Sequence, residues 1–543
     1  MTLALATMGM IAAMLTTAAP EPFDVGVHRQ LFVDGSIVSD FHGDARLRMH
    51  EPTRREVALA CDEPWEGATC GYFTVFKDDS LYRMYYRGSD VVYEDGNVNW
   101  EPHPMVTCYA HSVDGVHWTK PELGLHEFNG SRANNIIWTG AAAHNFTPFR
   151  DANPDCASDA RYKAVGSAGG GLHAFKSPDG IRWEALQGDP IITEGAFDSQ
   201  NLAFWDQTIR KYRAYWRDFH GEGEIAPPGR DVKTATSEDF INWSEPRWLV
   251  YTPGRRGTDE STPPHHQFYT NGVLPYYRAP QVLLGFPTRY IDRGWGASTD
   301  HLPQLEDRRE RSAASVREGT ALTDGMFMVS RDGRNFFVWP EAFIRPGIQR
   351  LGSWTYGDNY QAWGMVETPS DLPGAPNEIS VYATENYQHA GPMRLRRFTI
   401  RVDGFASAHA SLHGGDVVTR PLIFDGSTLE INFATSAGGS VKVELQSADG
   451  EPIEGYTSSD CAEILGDELS RTVQWGERAD VSPLAGQPVR IRFELRDADV
   501  YSFRFAGDGG VVWRSRLMAG TDWSGCGVGP GRRAGGSYHG GLT

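Results

Sequence analysis

The chain has 543 residues, enough for roughly three or four compact units, or for one large repetitive domain with a smaller companion. Apolar residues make up 40% and charged residues 22%, so a sizeable core can form and wholesale disorder is excluded. The 51 basic and 70 acidic residues leave a net charge of −19; that field repels phosphate backbones and anionic lipid, arguing against a nucleic-acid partner or a membrane-surface role.

At the N-terminus, Leu3 to Leu15 is almost wholly apolar and runs into Thr16, Thr17, Ala18 and Ala19 before Pro20. Residues 1–19 therefore read as a signal peptide, although no Lys or Arg precedes the apolar run, and a secreted or periplasmic chain is expected. No later stretch reaches the ~20 apolar residues of a spanning helix, so no membrane association is expected after cleavage. Gln30–Asp34 and Arg46–Met49 are short strands expected to close the fold against its last repeat. The six cysteines are too scattered for a disulfide framework; only Cys61 and Cys70 are close enough in sequence to suggest a bridge. CxxC and HExxH motifs are absent, and His265 and His266 are adjacent, which disfavours a catalytic zinc.

One unit then recurs to about residue 410. Its signature is Ser-x-Asp-Gly-x-x-Trp, at Ser112-Val113-Asp114-Gly115-Val116-His117-Trp118 and Ser177-Pro178-Asp179-Gly180-Ile181-Arg182-Trp183. Variants follow at Ser237 to Trp243 and Ser330 to Phe336, with a degenerate copy at Arg401 to Gly404. Asp-Gly supplies a tight turn and the aromatic packs the outer strand on its neighbour. A strand pair precedes each turn: Tyr72–Phe76 with Tyr82–Arg87, Asn145–Phe149 with Tyr162–Val165, and Asn201–Trp205 with Tyr212–Arg217. The last two pairs are Gly272–Tyr276 with Val282–Phe286, and Gln361–Val366 with Ile379–Ala383. Four antiparallel strands in each of five units predict an all-β, five-bladed β-propeller over residues 20–414. Asp300 to Gly319, dense in Arg and Glu, is expected to be a solvated surface helix within the fourth unit, with a place at the rim of the active face as the alternative.

Beyond Gly415 the pattern changes to alternating runs, as in Leu429–Phe433, Val441–Leu445 and Val489–Leu495. These predict a small β-sandwich over residues 415–505. Residues 506–543 hold 12 glycines and no strand pattern, so a disordered tail is expected.

In a propeller, the loops entering each first strand and leaving each second strand open on one face. Read at those positions, the sequence gathers Trp65 and Glu66, then His144 and Asn145, then Asp198 and Asn201, then Asn271, then Asp358, Asn359 and Tyr360. Leaving the second strands are Arg87, Arg217, Arg289 and Glu385. Paired carboxylates are what glycosidic cleavage needs, one protonated and one ionised. Aromatic faces stack on sugar rings, and amides bind hydroxyls. Three arginines exceed the needs of a neutral sugar, so an acidic or sulfated substrate is expected.

This layout, with Phe197-Asp198-Ser199-Gln200-Asn201-Leu202-Ala203-Phe204-Trp205 inside it, resembles the five-bladed glycoside hydrolases of the invertase, levansucrase and arabinanase superfamily. It is similar in particular to bacterial proteins that resemble the N-terminal domain of glycoside hydrolase family 32. The likeness spans residues 29–410, and the trailing sandwich is similar to the accessory sandwich of invertases. It implies three carboxylates acting on an oligo- or polysaccharide. Asp198 matches the second Asp of that family by position, without the Arg and Pro that flank it there. The family's Asn-Asp-Pro-Asn motif is absent, leaving Glu66 or Asp34 for the first Asp. Its Glu-Cys-Pro motif is also missing, and Glu385 is better placed than Glu367 for the acid. The catalytic candidates are thus Asp198, Asp358, Glu66 and Glu385. No cofactor is required, and a calcium ion in the channel, carried by some arabinanases, has no motif behind it.

Two other readings stand beside this one. A sialidase is suggested by the Asp-box-like repeats and the arginines, although the repeat is one residue shorter and five units rather than six are visible. The other is a non-catalytic propeller that binds saccharide.

Overall fold

The computed structural model describes residues 21–220, 229–253, 267–389 and 391–507. The expected signal peptide, the adjacent pair His265 and His266, and the tail beyond Gly507 lie outside the described residues. The described residues are nearly all β, with two short α-helices, Leu305–Ala314 (α1) and Val316–Thr320 (α2).

Among the described residues, five sheets follow one another along the chain. The first joins Gly71–Asp78, Leu81–Gly88, Val106–Ser112 and Ile136–Thr139 in antiparallel order. The second joins Thr147–Arg150, Tyr162–Ala168, Gly171–Ser177 and Glu184–Ala185, and the third Leu202–Asp206, Lys211–His220, Gly229–Ser237 and Arg247–Trp248. The fourth is built on Leu274–Tyr276, Ala279–Gly285, Met328–Ser330 and Asn335–Val338, with Val250–Pro253 added in parallel at its edge. The fifth contains Val366–Thr368, Glu378–Glu385 and Arg394–Ile400. Each predicted strand pair is found, although the first strand of the fifth sheet is reduced to three residues.

The recurring turn works as its chemistry requires. Ser112 Oγ accepts the N–H of Gly115 at 2.9 Å, and Asp114 Oδ1 accepts those of Val116 and His117 at 2.8 Å each. The same bonds recur at Ser177 and Asp179, Ser237 and Asp239, and Ser330 and Asp332. In the third copy Phe240 replaces glycine at φ 70°, a costly conformation for a side chain with a Cβ. Its fully buried ring packs on Phe149, Tyr212 and Trp243, which explains why the position tolerates it.

These turns also join the sheets. Arg83 of the first sheet donates to Asp179 O of the second at 2.9 Å, and Tyr215 of the third donates to Gly333 O of the fourth at 2.7 Å. Phe149 and Phe240 link the second and third sheets, with centroids 5.7 Å apart. Gln361 before the fifth sheet donates to Met326 O beside the fourth at 2.9 Å, and Tyr382 of the fifth donates to Gly115 O of the first. The contacts therefore run through all five sheets and return to the first.

Two expectations are corrected. The outer strand of the fifth sheet is Thr53–Ala60, not Gln30–Asp34 or Arg46–Met49. Those earlier segments pair instead with the C-terminal strands: Arg46–Met49 with Ala406–Ala410, and Gln30–Leu31 with Ser502 and Phe503. They complete a ten-stranded sheet organised on two long strands, Thr428–Ser447 and Val489–Ala506. Alternate residues along those strands, such as Leu429, Ile431, Phe433, Val441, Val443 and Leu445, are fully buried in one apolar cluster that also takes in Phe32 and Val25. The N-terminal strands supply part of that core, which is why they leave the repeats.

The second correction concerns the charged helical segment. Arg308 and Arg311 of α1 have no exposed surface, and Glu318 of α2 is 1% exposed. Arg308 is buried because it binds backbone carbonyls: it donates to Pro303 O at 2.8 Å, to Gly319 O at 3.1 Å and to Trp354 O. One face of the helices thus braces the loop that enters the fifth sheet, while Glu306, Arg309 and Glu310 stand in solvent as expected.

Candidate active site

The loop from Phe197 to Asn201 sits where the sheets meet. Asn145 and Asn201, both fully buried, each donate from Nδ2 to Phe197 O and Ser199 O. Ser199 Oγ donates to Tyr269 O at 2.6 Å, and Gln200 Nε2 reaches Tyr72 O and Phe73 O. Groups from the first sheet, from the approach to the second, and from beside a three-stranded sheet of Gln267–Phe268, Thr288–Ile291 and Leu322–Gly325 therefore hold this loop, which leads into the third. The two asparagines act as positioning residues for the loop, not as ligands facing solvent.

What the loop presents is Asp198, whose side chain is 70% exposed. His144 Nε2 lies 3.2 Å from Asp198 Oδ1, and Arg217 Nη2 lies 3.1 Å from Oδ2. Partial burial pushes the carboxyl upward, but the His144 bond and the Arg217 charge outweigh it and hold Asp198 well below the usual carboxylate range. Arg87 Nη1 lies 3.4 Å from His144 Nδ1. A guanidinium can only donate, so Nδ1 accepts, and a neutral ring then carries its proton on Nε2, the nitrogen 3.2 Å from Asp198 Oδ1. Burial lowers the His144 pKa, which keeps the ring neutral in this role.

Around this group stands a wall of tyrosines and arginines. Tyr72 opens the first sheet at φ 54°, beside a register shift between Gly71 and Thr74, and its ring lies under the Arg87 guanidinium at 4.7 Å. The Tyr269 ring is 5.2 Å from Tyr360 and 5.9 Å from Tyr356. Tyr360 stacks on Tyr387 at 6.1 Å, and Arg87 donates to the Tyr387 hydroxyl at 3.4 Å. Gly357, at φ 86°, is needed here: a Cβ would fall 1.9 Å from the Tyr387 ring. Arg230 lies over Tyr269 at 5.0 Å and Tyr290 at 4.8 Å, and Arg317 of α2 lies over Tyr356 at 5.0 Å.

The other acids are differently placed. Asp358 is fully buried behind this wall, where it accepts the Tyr387 N–H at 3.1 Å; burial pushes its carboxyl well above the usual range, so it keeps its proton. Glu385 is 7% exposed and ion-paired to Arg54, Arg350 and Arg396. Glu66 is buried against Lys120 at 2.6 Å and the Tyr86 hydroxyl at 2.5 Å, with its pKa raised by burial. Asp34 is paired with Arg331, beside the strands of the ten-stranded sheet.

Several substrate-binding candidates are likewise engaged elsewhere. Trp65 donates to Asn135 Oδ1 at 2.7 Å. Asn271 accepts the Val273 N–H at 3.3 Å, and Asn359 donates to Thr323 O at 3.3 Å. Arg289 points to the opposite side of its strand from Tyr290 and forms a two-bonded pair with Asp324 at 2.8 and 2.5 Å. The structure thus brings together Asp198, His144, Arg87, Arg217 and Tyr360, with Asp358 behind them, and does not bring Glu66, Glu385, Asp34, Trp65 or Arg289 into contact with Asp198.

Tyr72, Arg230, Tyr290, Arg317 and Tyr387 are not among the sequence candidates. The signal that points to Arg230 and Tyr290 is strand parity; Arg317, on α2, and Tyr387, in a turn, carry none. Phe219 pairs with Arg230 across the ladder and lies two residues after Arg217, and Tyr290 is the alternate neighbour of Arg289. Among the described residues no group of three or more His, Cys, Asp or Glu is placed to hold a metal ion.

No family model matches the chain. Two curated relatives, an uncharacterized protein of Mycobacterium tuberculosis strain CDC 1551 and its counterpart Rv1502 of strain H37Rv, are each 28% identical over 174 residues. That match covers 30% of this chain, and the chain spans about half the length, 51%, of these relatives. Among solved structures, the chain is similar to the catalytic domain of a family 62 alpha-L-arabinofuranosidase from Coprinopsis cinerea, with 10% identity and a TM-score of 0.38 over 65% of this chain and 97% of that one. It is similar also to a family 43 arabinoxylan arabinofuranohydrolase from Bacillus subtilis, at 12% identity and TM-score 0.35 over 82% and 97% of the two chains. A third is the Bombyx mori family 32 beta-fructofuranosidase BmSUC1, at 10% identity and TM-score 0.33 over 85% and 95%. Similarity at this level decides no activity.

Proposed function

We propose that this chain is a glycoside hydrolase with its active site at the mouth around Asp198. In this reading the five sheets are the blades of a five-bladed β-propeller, the ten-stranded sheet is an accessory β-sandwich that also enlists residues 23–49, and the chain is exported. The cycle of contacts from the first sheet to the fifth and back supports the propeller.

One observation carries the activity: Asp198 is an exposed, ionised carboxylate within a wall of buried aromatic and cationic groups drawn from separate sheets. Ionised, it suits the base or nucleophile of glycosidic cleavage. Asp358 is the acid that retains a proton, and delivery of that proton to a leaving oxygen requires the turn at Tyr387 to shift. The tyrosine faces suit sugar rings, and His144 fixes the orientation of the Asp198 carboxylate.

A second reading, a propeller that binds saccharide without cleaving it, is favoured by the burial of Glu66, Asp358 and Glu385. A hydrolysis panel of neutral and acidic oligosaccharides separates the two. The hydrolase reading expects turnover by the wild type and a loss of about 10²–10⁴-fold in Asp198→Asn, with the melting temperature unchanged. Binding without turnover in the wild type, or full activity in Asp198→Asn, overturns it.

A further inference from the structure

The charges of the mouth do not balance as those elsewhere in the molecule do. Glu385, Asp34, Asp78 and Asp324 each sit against one or more arginines. Among the described residues, neither Arg87 nor Arg230 has a carboxylate within ion-pair distance. Arg87 is buried, and its two terminal nitrogens donate to Thr69 O, Tyr387 and His144, its Nε having no partner among the described residues.

Arg230 is different because it is half-buried and underused. Nη1 donates to Gln267 Oε1 at 2.7 Å, Nε has no partner, and the guanidinium rests on the faces of Tyr269 and Tyr290. Phe219, 45% exposed, lies 5.6 Å from it. Arg317 approaches the same place from α2: its Nε is held by Glu318 at 2.8 Å, and Tyr290 feels both guanidinium charges. Asp292, two residues beyond Tyr290, is the acid whose charge also reaches that ring, and it accepts the Gly294 N–H at 3.4 Å. Both guanidiniums thus reach Tyr290, but Arg317 is paired with Glu318, whereas Arg230 has no carboxylate within ion-pair distance among the described residues, in a chain whose overall charge is −19. A guanidinium fork matches the two oxygens of a carboxylate or sulfate, and partial burial strengthens that bond.

We propose that the mouth selects an anionic saccharide, whose carboxylate or sulfate group seats on the Arg230 guanidinium where it lies over Tyr269 and Tyr290, with Arg317, paired to Glu318, flanking it. The neighbouring Arg217 is excluded from this role because its charge is taken by Asp198. The inference shares its site with the hydrolase reading but concerns recognition, so it is tested by binding alone.

The probes are a galacturonic acid trimer, its carboxyl-reduced galactose trimer, and a sulfated galactose trimer, titrated calorimetrically into the full chain. The expected result is that at least one acidic trimer binds more tightly than the neutral one by about 10–100-fold, the range of one or two charge-assisted bonds, and that this preference shrinks with added salt. The uronate and sulfate arms tell which anion is preferred. Arg230→Gln should remove most of the preference while changing neutral binding little, and Arg230→Lys should restore part of it. Matching melting curves for these variants show that the fold is intact. Equal binding of acidic and neutral trimers, binding of none, or an unchanged preference in Arg230→Gln overturns the inference. Tight acidic binding without cleavage leaves it standing and overturns the hydrolase reading instead.

Discussion

The mouth at Asp198 and the edge of the fifth sheet at Glu385 are built from the same materials and end in opposite states. Each sets a carboxylate among arginines. At Glu385 three guanidiniums, from Arg54, Arg350 and Arg396, close on one acid that is 7% exposed. At Asp198 one guanidinium and one neutral imidazole hold an acid that is 70% exposed, while further arginines lie on tyrosine rings. The difference lies in where each acid stands. Glu385 ends a strand and is sealed by the strands beside it, Arg394–Ile400 and Thr53–Ala60. Asp198 is on a loop held from beneath by asparagines, which leaves its carboxylate outward. Arginine beside an acid therefore marks an active site only when the acid is left facing out.

The sharpest way to break this contrast is to neutralise both acids. Asp198→Asn should lose about 10²–10⁴-fold in turnover and almost nothing in stability. Glu385→Gln should do the reverse, lowering unfolding free energy by about 2–3 kcal/mol in denaturant titrations with turnover retained. That figure is set below the cost of breaking a fully buried pair because Arg54 and Arg350 are about one-third exposed. Similar losses of stability in both variants would dissolve the distinction.

Asp358 sharpens it from the other side. Its raised pKa means that the folded chain keeps a proton that the unfolded chain releases above the ordinary carboxylate value, so this group's contribution to stability falls as pH rises from ~4. Asp358→Asn should flatten that part of the pH–stability profile and leave the neutral-pH midpoint equal to or above that of the wild type. A lower midpoint together with an unchanged profile would show that Asp358 is ionised in place. The smallest effect belongs to the turns: Tyr382→Phe removes the bond to Gly115 O and should cost ~1 kcal/mol, measurable by denaturant midpoint, without touching turnover.

Much of the fold is legible in the chain because the repeating turn is local. Ser112, Asp114 and Gly115 satisfy one another within four residues, so the pattern survives in sequence wherever the turn does. Asp198 is legible for a related reason, since it precedes a recognisable strand. What the sequence does not convey is pairing across hundreds of residues. Nothing near Glu385 or Glu66 announces Arg54 or Lys120 as its partner, so sealed and open acids look alike. The buried Arg308 and Arg311 carry a charged, surface-like pattern, and only the carbonyls of Pro303, Gly319 and Trp354 explain the place of Arg308 inside. Arg289 draws the eye by its charge, yet the alternation of its strand puts the neighbouring Tyr290 ring, and not the guanidinium, beside Arg230.

The strand Thr53–Ala60 also bears on how the molecule is made. It pairs with residues 394–399, so an early piece of the chain must wait for a very late one before its hydrogen bonds are satisfied. Closing so long a loop is entropically slow. During synthesis the first sheet and its successors can assemble while that early strand stays unpaired, and the circuit is fastened only when the fifth sheet emerges. The strands before it wait longer still, Arg46–Met49 for Ala406–Ala410 and Gln30–Leu31 for Ser502 and Phe503. Residues 23–60 are therefore among the last to find their partners, and removing residues 489–506 would leave Gln30–Leu31 with an open edge.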